Sequence, residues 1–307
     1  MKGGIVLNLD QLTERVKNTS GREKTFAVAH ATDKGLFEAA RRAMDEGIGK
    51  FVFVGPTEVM AGLAEEAGLK HDGGLWELKE AADEKQSAAA AVSLVKAKEA
   101  DVLMKGMTST SVLLKAVLNK EHGLRSGSVL SHVAAFDLPG RDSLLLLTDA
   151  AMNIAPDLKE KTAITVNAVE TAKKIGFTNP KVAVIAAVET VNPAMEATLH
   201  AAALTQMNRR GQIPGCIIDG PLAFDLAVSK EAAEQKGIHS EVAGEADILV
   251  VPAIETGNAL YKSLTIFGKG KVGGLITGAG APIVLTSRAD SAESKLFSIT
   301  IAAGAAE

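Results

Sequence analysis

The chain has 307 residues, 47% of them hydrophobic but only 4% aromatic, with 29 glycines and a formal net charge of -4. That length is ample for a sizeable core and suggests two domains, or one large one. A core of Ala, Val, Ile and Leu suits an α/β protein whose strands are buried on both faces. The composition argues against several classes of protein. There is no basic footprint for nucleic acid. The single cysteine, Cys216, excludes an intrachain disulfide framework and a cysteine metal cluster. No secretory signal is visible, and no apolar run reaches the roughly 18 residues of a membrane span. The expectation is a soluble cytoplasmic protein that takes no nucleic acid and no membrane as partner.

Strands and helices alternate along the chain. Residues 24–29 read as an apolar strand and 33–46 as an Ala-rich helix. A second strand over 50–54 stops at Gly55-Pro56, and Pro56 starts a helix well. A helix over 83–99 precedes a strand over 101–104, and 108–119 returns to the helical period. A strong strand over 143–147 leads into Thr148-Asp149, and a long helix covers 158–175. Then come a strand at 182–187, a helix at 193–209 and a strand at 216–218 running into Asp219-Gly220-Pro221. A strand at 248–251 and a helix at 258–267 follow. The stretch from Gly273 to Ala303 reads as two apolar strands joined by a Gly-rich turn, then a helix. The Gly/Ser-rich stretch 123–128 is the best candidate boundary, with a return near Gly278-Ala-Gly280.

In open parallel sheets, ligands gather outside the carboxyl ends of strands. The residues that follow the strands here are dense in hydroxyls and amides. Ser287-Arg288 at a strand-to-helix junction places a hydroxyl and a fixed cation where a helix N-terminus favours an anion. The structural alternative is a turn residue and a surface charge, with Asp290 and Glu293 spaced as a variant capping box. Lys105-Gly106-Met107-Thr108-Ser109-Thr110 puts a lysine, a glycine and hydroxyls ahead of a helix, a pattern that can hold phosphate. It is not a P-loop, and its plain reading is a Gly turn with Thr108 or Ser109 as N-cap. Asp149, Asp219 and Asp225 can be a carboxylate metal site, or each can cap a turn or helix. His30 and His132, near strand ends, read as structural histidines. Cys216 reads as a buried inert thiol rather than a nucleophile.

Six motifs in order resemble one family, the phosphate acyltransferases that comprise the phosphate acetyl- and butyryltransferases. They are Lys105-Gly-Met-Thr-Ser-Thr110, Thr148-Asp-Ala-Ala-Met-Asn153-Ile-Ala-Pro156, Asp219-Gly-Pro-Leu-Ala-Phe-Asp225, Val242-Ala-Gly244, Gly257-Asn-Ala-Leu-Tyr-Lys262 and Pro282-Ile-Val-Leu-Thr-Ser-Arg288. The wording of the Asp219 and Ser287 motifs looks like the butyryl branch. The chain carries Ser294 where the acetyl branch has an aspartate proposed as base for the CoA thiol.

The resemblance implies two α/β domains with a cleft between them, like isocitrate and isopropylmalate dehydrogenases. Residues 1–127 plus 280–307 would form one domain and 128–279 the other. It implies the reaction butanoyl-CoA + phosphate = butanoyl phosphate + CoA, by direct transfer in a ternary complex. Coenzyme A is then a substrate, and no cofactor or metal is needed. A homodimer or higher homo-oligomer, working with an acyl kinase, is the family expectation. On this reading Arg288 holds phosphate, and Ser287 bonds the CoA sulfur or the developing oxyanion. Lys105 and Thr108 complete the phosphate or acyl-carbonyl site. Ser109, Asn153, Asn258 and Lys262 bind substrate, and Glu293 or Asp290 is the base. The alternatives are a phosphate acetyltransferase and a non-catalytic CoA-binding module.

Overall fold

A computed structural model describes residues 8–19, 23–70, 74–286 and 290–306. In chain order the elements are α1 (Leu9–Thr19), β1 (Lys24–Ala29), α2 (Lys34–Asp45), β2 (Gly49–Gly55), α3 (Thr57–Glu66), β3 (Trp76–Glu80), α4 (Glu84–Lys96), β4 (Val102–Lys105), α5 (Thr110–Val117), β5 (Ser131–Asp137) and β6 (Leu145–Thr148). They continue with α6 (Leu158–Ile175), β7 (Lys181–Ile185), α7 (Glu196–Arg209), β8 (Ile217–Leu222), α8 (Phe224–Val228), α9 (Lys230–Gln235), β9 (Ile248–Val250), α10 (Ile254–Ile266), β10 (Lys271–Thr277), β11 (Ile283–Val284) and α11 (Ala292–Ala305). The chain divides into two compact units, one of Leu9–Ser128 with Val272–Glu307, the other built on Val129–Lys271.

In the first unit the strand order is β3-β2-β1-β4-β11-β10. All neighbours run parallel except β10, which is antiparallel to β11. β1 and β4 are almost wholly buried, as their unbroken apolar runs require. Phe26, Phe37, Phe51 and Phe53 stack with centroids 4.4–5.7 Å apart, so most of this unit's aromatic packing lies around β1, β2 and α2. Helix α11 is buried along nearly its whole length and packs on α1 and α2. Its Lys295 is only 4% exposed and donates to Asp33, the N-cap of α2, at 2.9 Å.

In the second unit the order is β5-β6-β9-β7-β8, with β5 antiparallel to β6 and the others parallel. Helix α6 starts on a complete capping box, Asp157 with Glu160, and ends at Gly176 with φ 125°. Near the start of β7, Glu245 takes hydrogen bonds from Lys181 and Lys230. These bonds hold its carboxyl at about 2, well below the usual 4.5. A lowered folded-state pKa stabilises the fold above the unfolded value and loses that contribution as pH falls toward the folded one. Glu245→Gln should therefore remove part of the acid sensitivity between pH about 4.5 and about 2. Urea midpoints at pH 7 and pH 3 check this: the wild type should lose more than the variant, and equal losses would rule the pair out.

Several elements differ from the sequence expectation. Strands β3 and β5 were not anticipated, because WELKE is a charged edge sequence and SHVAAFD carries no clean alternation. Strand β8 runs on through Asp219-Gly220-Pro221 to Leu222, so Asp219 sits inside the strand rather than after it. Pro221 is tolerated there because β8 ends the strand order, where a missing N–H costs no ladder bond. Helix α10 begins at Ile254, four residues before the expected start at Asn258, so Gly257 and Asn258 both lie in its first turns. Helix α7 begins at Glu196, three residues beyond the proline expected to open it.

Candidate active site

In the first unit, the loop after β4 is tied down from three sides. Gly106 N–H donates to Ala29 O (2.9 Å) and Met107 N–H to His30 O (2.8 Å), extending the β1 ladder. A Cβ on residue 106 would lie 2.4 Å from His30 O and 2.7 Å from Ala29 O, so only glycine fits. Lys105, 9% exposed, donates from Nζ to Gly106 O (3.0 Å) and Thr108 O (3.2 Å). Glu84, which opens α4, accepts from Ser109 N–H at 3.1 Å and from Thr108 Oγ1 at 3.5 Å. Ser109 is the N-cap of α5, its hydroxyl accepting from Val112 N–H at 3.3 Å. Thr286 Oγ1 donates to Lys105 O at 3.3 Å, so the Pro282 motif and the Lys105 motif adjoin.

Ser287 and Arg288 lie outside the described residues. The helix that follows is capped by Ser291, whose hydroxyl accepts from Ser294 N–H at 3.1 Å. The N-cap is therefore Ser291, one residue after the Asp290 that the spacing suggested. Glu293 is exposed in the first turn of α11, and Asp290 is half-buried just before it; both are engaged with neighbouring groups.

In the second unit, Asp149 organises the site residues. Its side chain is 4% exposed and accepts four N–H groups. Oδ1 takes Ala151 N–H (2.8 Å) and Met152 N–H (2.9 Å); Oδ2 takes His132 N–H (3.2 Å) and Asn153 Nδ2 (2.6 Å). Asn153 Nδ2 also donates to Leu130 O at 2.9 Å, which pins the loop to the start of β5. Gly257 lets α10 approach: a Cβ there would meet Asp149 O at 2.4 Å and Ala150 Cα at 2.9 Å. Asn258 Nδ2 then reaches Ala150 O at 3.4 Å. Lys262 Nζ lies 5.3 Å from the centroid of the Tyr261 ring. Asn153 and Asn258 thus meet around Asp149-Ala150, with Lys262 one turn further along α10.

The sequence reading missed Glu84 and the reach of Asp149 to His132, and it set His132 aside as structural; the turn-capping alternative for Asp149 is what Ala151 and Met152 N–H display. Glu84 meets Ser109 across 25 residues and Asp149 meets His132 across 17, so no local pattern signals either contact. Asp149, Asp219 and Asp225 do not gather: among the described residues no group of three His, Cys, Asp or Glu is arranged for a metal. Cys216 is buried, and burial pushes its thiol up to about 11, so the thiolate a nucleophile needs is suppressed. Among the described residues no helix is long and apolar enough to cross a membrane.

Mixed α/β units with lysine, hydroxyl and amide groups collected at strand ends are the build of a small-molecule enzyme. Comparison with known proteins narrows the class. A family model described as "Phosphate acetyl/butaryl transferase" matches residues 70–303. A Bacillus subtilis (strain 168) protein named probable phosphate butyryltransferase is 55% identical, over 93% of this chain and 94% of its own length. A Clostridium acetobutylicum protein named phosphate butyryltransferase is 47% identical over 97% of this chain and 98% of its own. The crystal structure of a branched-chain phosphotransacylase from Enterococcus faecalis V583 superposes with a TM-score of 0.81 at 39% identity, covering 92% of this chain and 99% of that one. The chain belongs to the phosphate acetyl/butyryl transferase family. It is an acyltransferase, of the kind that moves an acyl group between coenzyme A and phosphate.

Proposed function

We propose that the preferred acyl group is butanoyl, in the reaction butanoyl-CoA + phosphate = butanoyl phosphate + CoA. The observation that carries this is the near-full-length identity to relatives named for that acyl group. The reaction runs by direct attack in a ternary complex, with coenzyme A as a substrate and no cofactor. The suppressed thiol of Cys216, the chain's only cysteine, supports a route without a cysteinyl acyl-enzyme. The working fold is isocitrate dehydrogenase-like, built of two α/β domains. A cytoplasmic homodimer or larger homo-oligomer, coupled to an acyl kinase, completes the reading.

In this reading Arg288 forks the phosphate oxygens, and Ser287 faces the CoA sulfur. The adjoining of Thr286 and Lys105 supports bringing the Ser287-Arg288 motif and the 105–109 loop to one substrate. Lys105 braces that loop through two of its carbonyls and, with Thr108, completes the phosphate or acyl-carbonyl site. Thr108 and Ser109 line the phosphate end, while Asn153, Asn258 and Lys262 hold CoA or the acyl group. In the reverse direction, where the CoA thiol attacks butanoyl phosphate, Asp290 or Glu293 takes the thiol proton, a role worth roughly 10²–10⁴-fold where a base is used.

The acyl preference has a calculable size. Butanoyl carries two more methylenes than acetyl. At about 0.8 kcal/mol for each buried CH₂, that is about 1.6 kcal/mol, or roughly 15-fold in kcat/KM. Phosphate-dependent CoA release from butanoyl-CoA should exceed that from acetyl-CoA by this order. A ratio below one would make the chain a phosphate acetyltransferase. No release with either would return it to the non-catalytic CoA-binding reading.

A further inference from the structure

His132 sits where two of the family motifs meet within one unit. Its main-chain N–H donates to Asp149 Oδ2 at 3.2 Å, and its ring lies 6.2 Å from that of Tyr261 on α10. Tyr261 is itself held edge-on by Phe136 at 5.4 Å. The residue is half-buried, yet Nδ1 is sealed from solvent with no hydrogen-bond partner. The accessible part of the ring therefore excludes Nδ1. A buried N–H without an acceptor is rarer and costlier than a buried lone pair. The neutral ring consequently carries its proton on Nε2.

The ring is also kept neutral. Burial lowers its pKa from the ordinary 6.5, against the opposing charge of Asp149. The titratable groups set against it are Asp149 after β6 and Tyr261 on α10, with Lys262 Nζ over the Tyr261 ring. The amides of Asn153 and Asn258 around the Asp149-Ala150 corner carry no charge.

We propose that His132 is a further catalytic residue, its neutral imidazole presenting Nε2–H as a fixed donor to the oxyanion formed on the acyl carbonyl. This rests on the acyl-transfer reading above. A phosphate oxygen forms a bond to the thioester carbon, and the C=O π pair moves onto the carbonyl oxygen. That oxyanion accepts the hydrogen bond. Its lone pair then re-forms C=O, and the C–S bond breaks with its electron pair leaving on the CoA sulfur. His132 keeps its proton throughout, so it stabilises charge without competing with a base. A donor aimed at developing charge in a dry site costs no reorganisation at the moment of reaction.

The test uses the full-length enzyme with butanoyl-CoA and phosphate. His132→Phe keeps ring volume against Tyr261 and removes the donor. It should lower kcat by about 10²–10³-fold with KM changed less than about threefold. His132→Gln restores an N–H near the Nε2 position and should recover at least about tenfold of that loss. Wild-type protein labelled with ¹⁵N-histidine should show His132 as the neutral Nε2–H tautomer between pH 6.5 and 8, identified by the signal missing from the variants. An imidazolium or an Nδ1–H tautomer there overturns the proposal even if the Phe variant does not fold. A His132→Phe enzyme with wild-type kcat overturns it while leaving the acyl-transfer reading intact. A wild type without turnover overturns both.

Discussion

Replacing Arg288 with alanine should lower kcat/KM for phosphate-dependent cleavage of butanoyl-CoA by about 10³-fold, with the fold intact. Phosphate is handled best by a planar guanidinium, which offers paired N–H groups at the spacing of two phosphate oxygens. The charge that phosphate brings needs a partner that is always protonated. Lysine supplies a point charge without the fork, so Arg288→Lys should recover only part of the loss. The KM for phosphate should rise in both variants, because the contact exists in the ground state as well. Circular dichroism and the melting temperature serve as the folding control. Near-normal activity in Arg288→Ala would remove this residue from the site and leave the 105–109 loop to hold phosphate by itself.

The largest stability effect is expected at Asp149. Its carboxylate accepts four N–H groups from His132, Ala151, Met152 and Asn153, and it is almost fully buried. Asp149→Ala leaves three main-chain N–H groups and one amide without that acceptor. Unmade buried hydrogen bonds cost on the order of 1–3 kcal/mol each, with partial relief by relaxation, so a net loss of about 3–5 kcal/mol is expected. Asp149→Asn should recover about half of that loss, because its one oxygen still accepts from Ala151 and Met152 N–H while its NH₂ group opposes the His132 and Asn153 donors. Urea midpoints with unchanged slopes read the effect directly. A loss below about 1 kcal/mol would mean that the loop after β6 is held by something other than this carboxylate.

The legible parts of the fold share a property: their signals are local. Helix α6 matches its expected bounds because a capping box and a C-terminal glycine stand at its two ends. Strands β1, β2 and β4 were readable because burial on both faces leaves unbroken apolar runs. β3 and β8 were missed or misplaced for the opposite reason. An edge strand can carry charge or proline, since it answers to one neighbour instead of two. The Asp290–Glu293 spacing was a sound capping pattern, but Ser291 stands one residue later and takes the cap.

Among the site residues, Thr108, Ser109, Asn153 and Asn258 were named from motif wording, and Ser109 as a candidate N-cap, which it is; their partners elsewhere in the chain could not be named. Glu84 reaches Ser109 from a helix that begins 25 residues earlier. His132 and Asp149 face one another because β5 runs antiparallel to β6, a pairing with no trace in the period of either segment.

The sequence by itself determined the α/β class, most helix bounds and the family, because composition, caps and ordered motifs are properties of short segments. The tertiary structure decided what each polar group touches. It gave Lys105 carbonyl acceptors in its own loop, made Asp149 the acceptor of four N–H groups, and left Nδ1 of His132 sealed and unpartnered. It also showed why residues 106 and 257 are glycines, each lying against a backbone far away in the chain. Hydrogen bonding and close approach depend on distances between remote segments, and those distances exist only once the strands have paired.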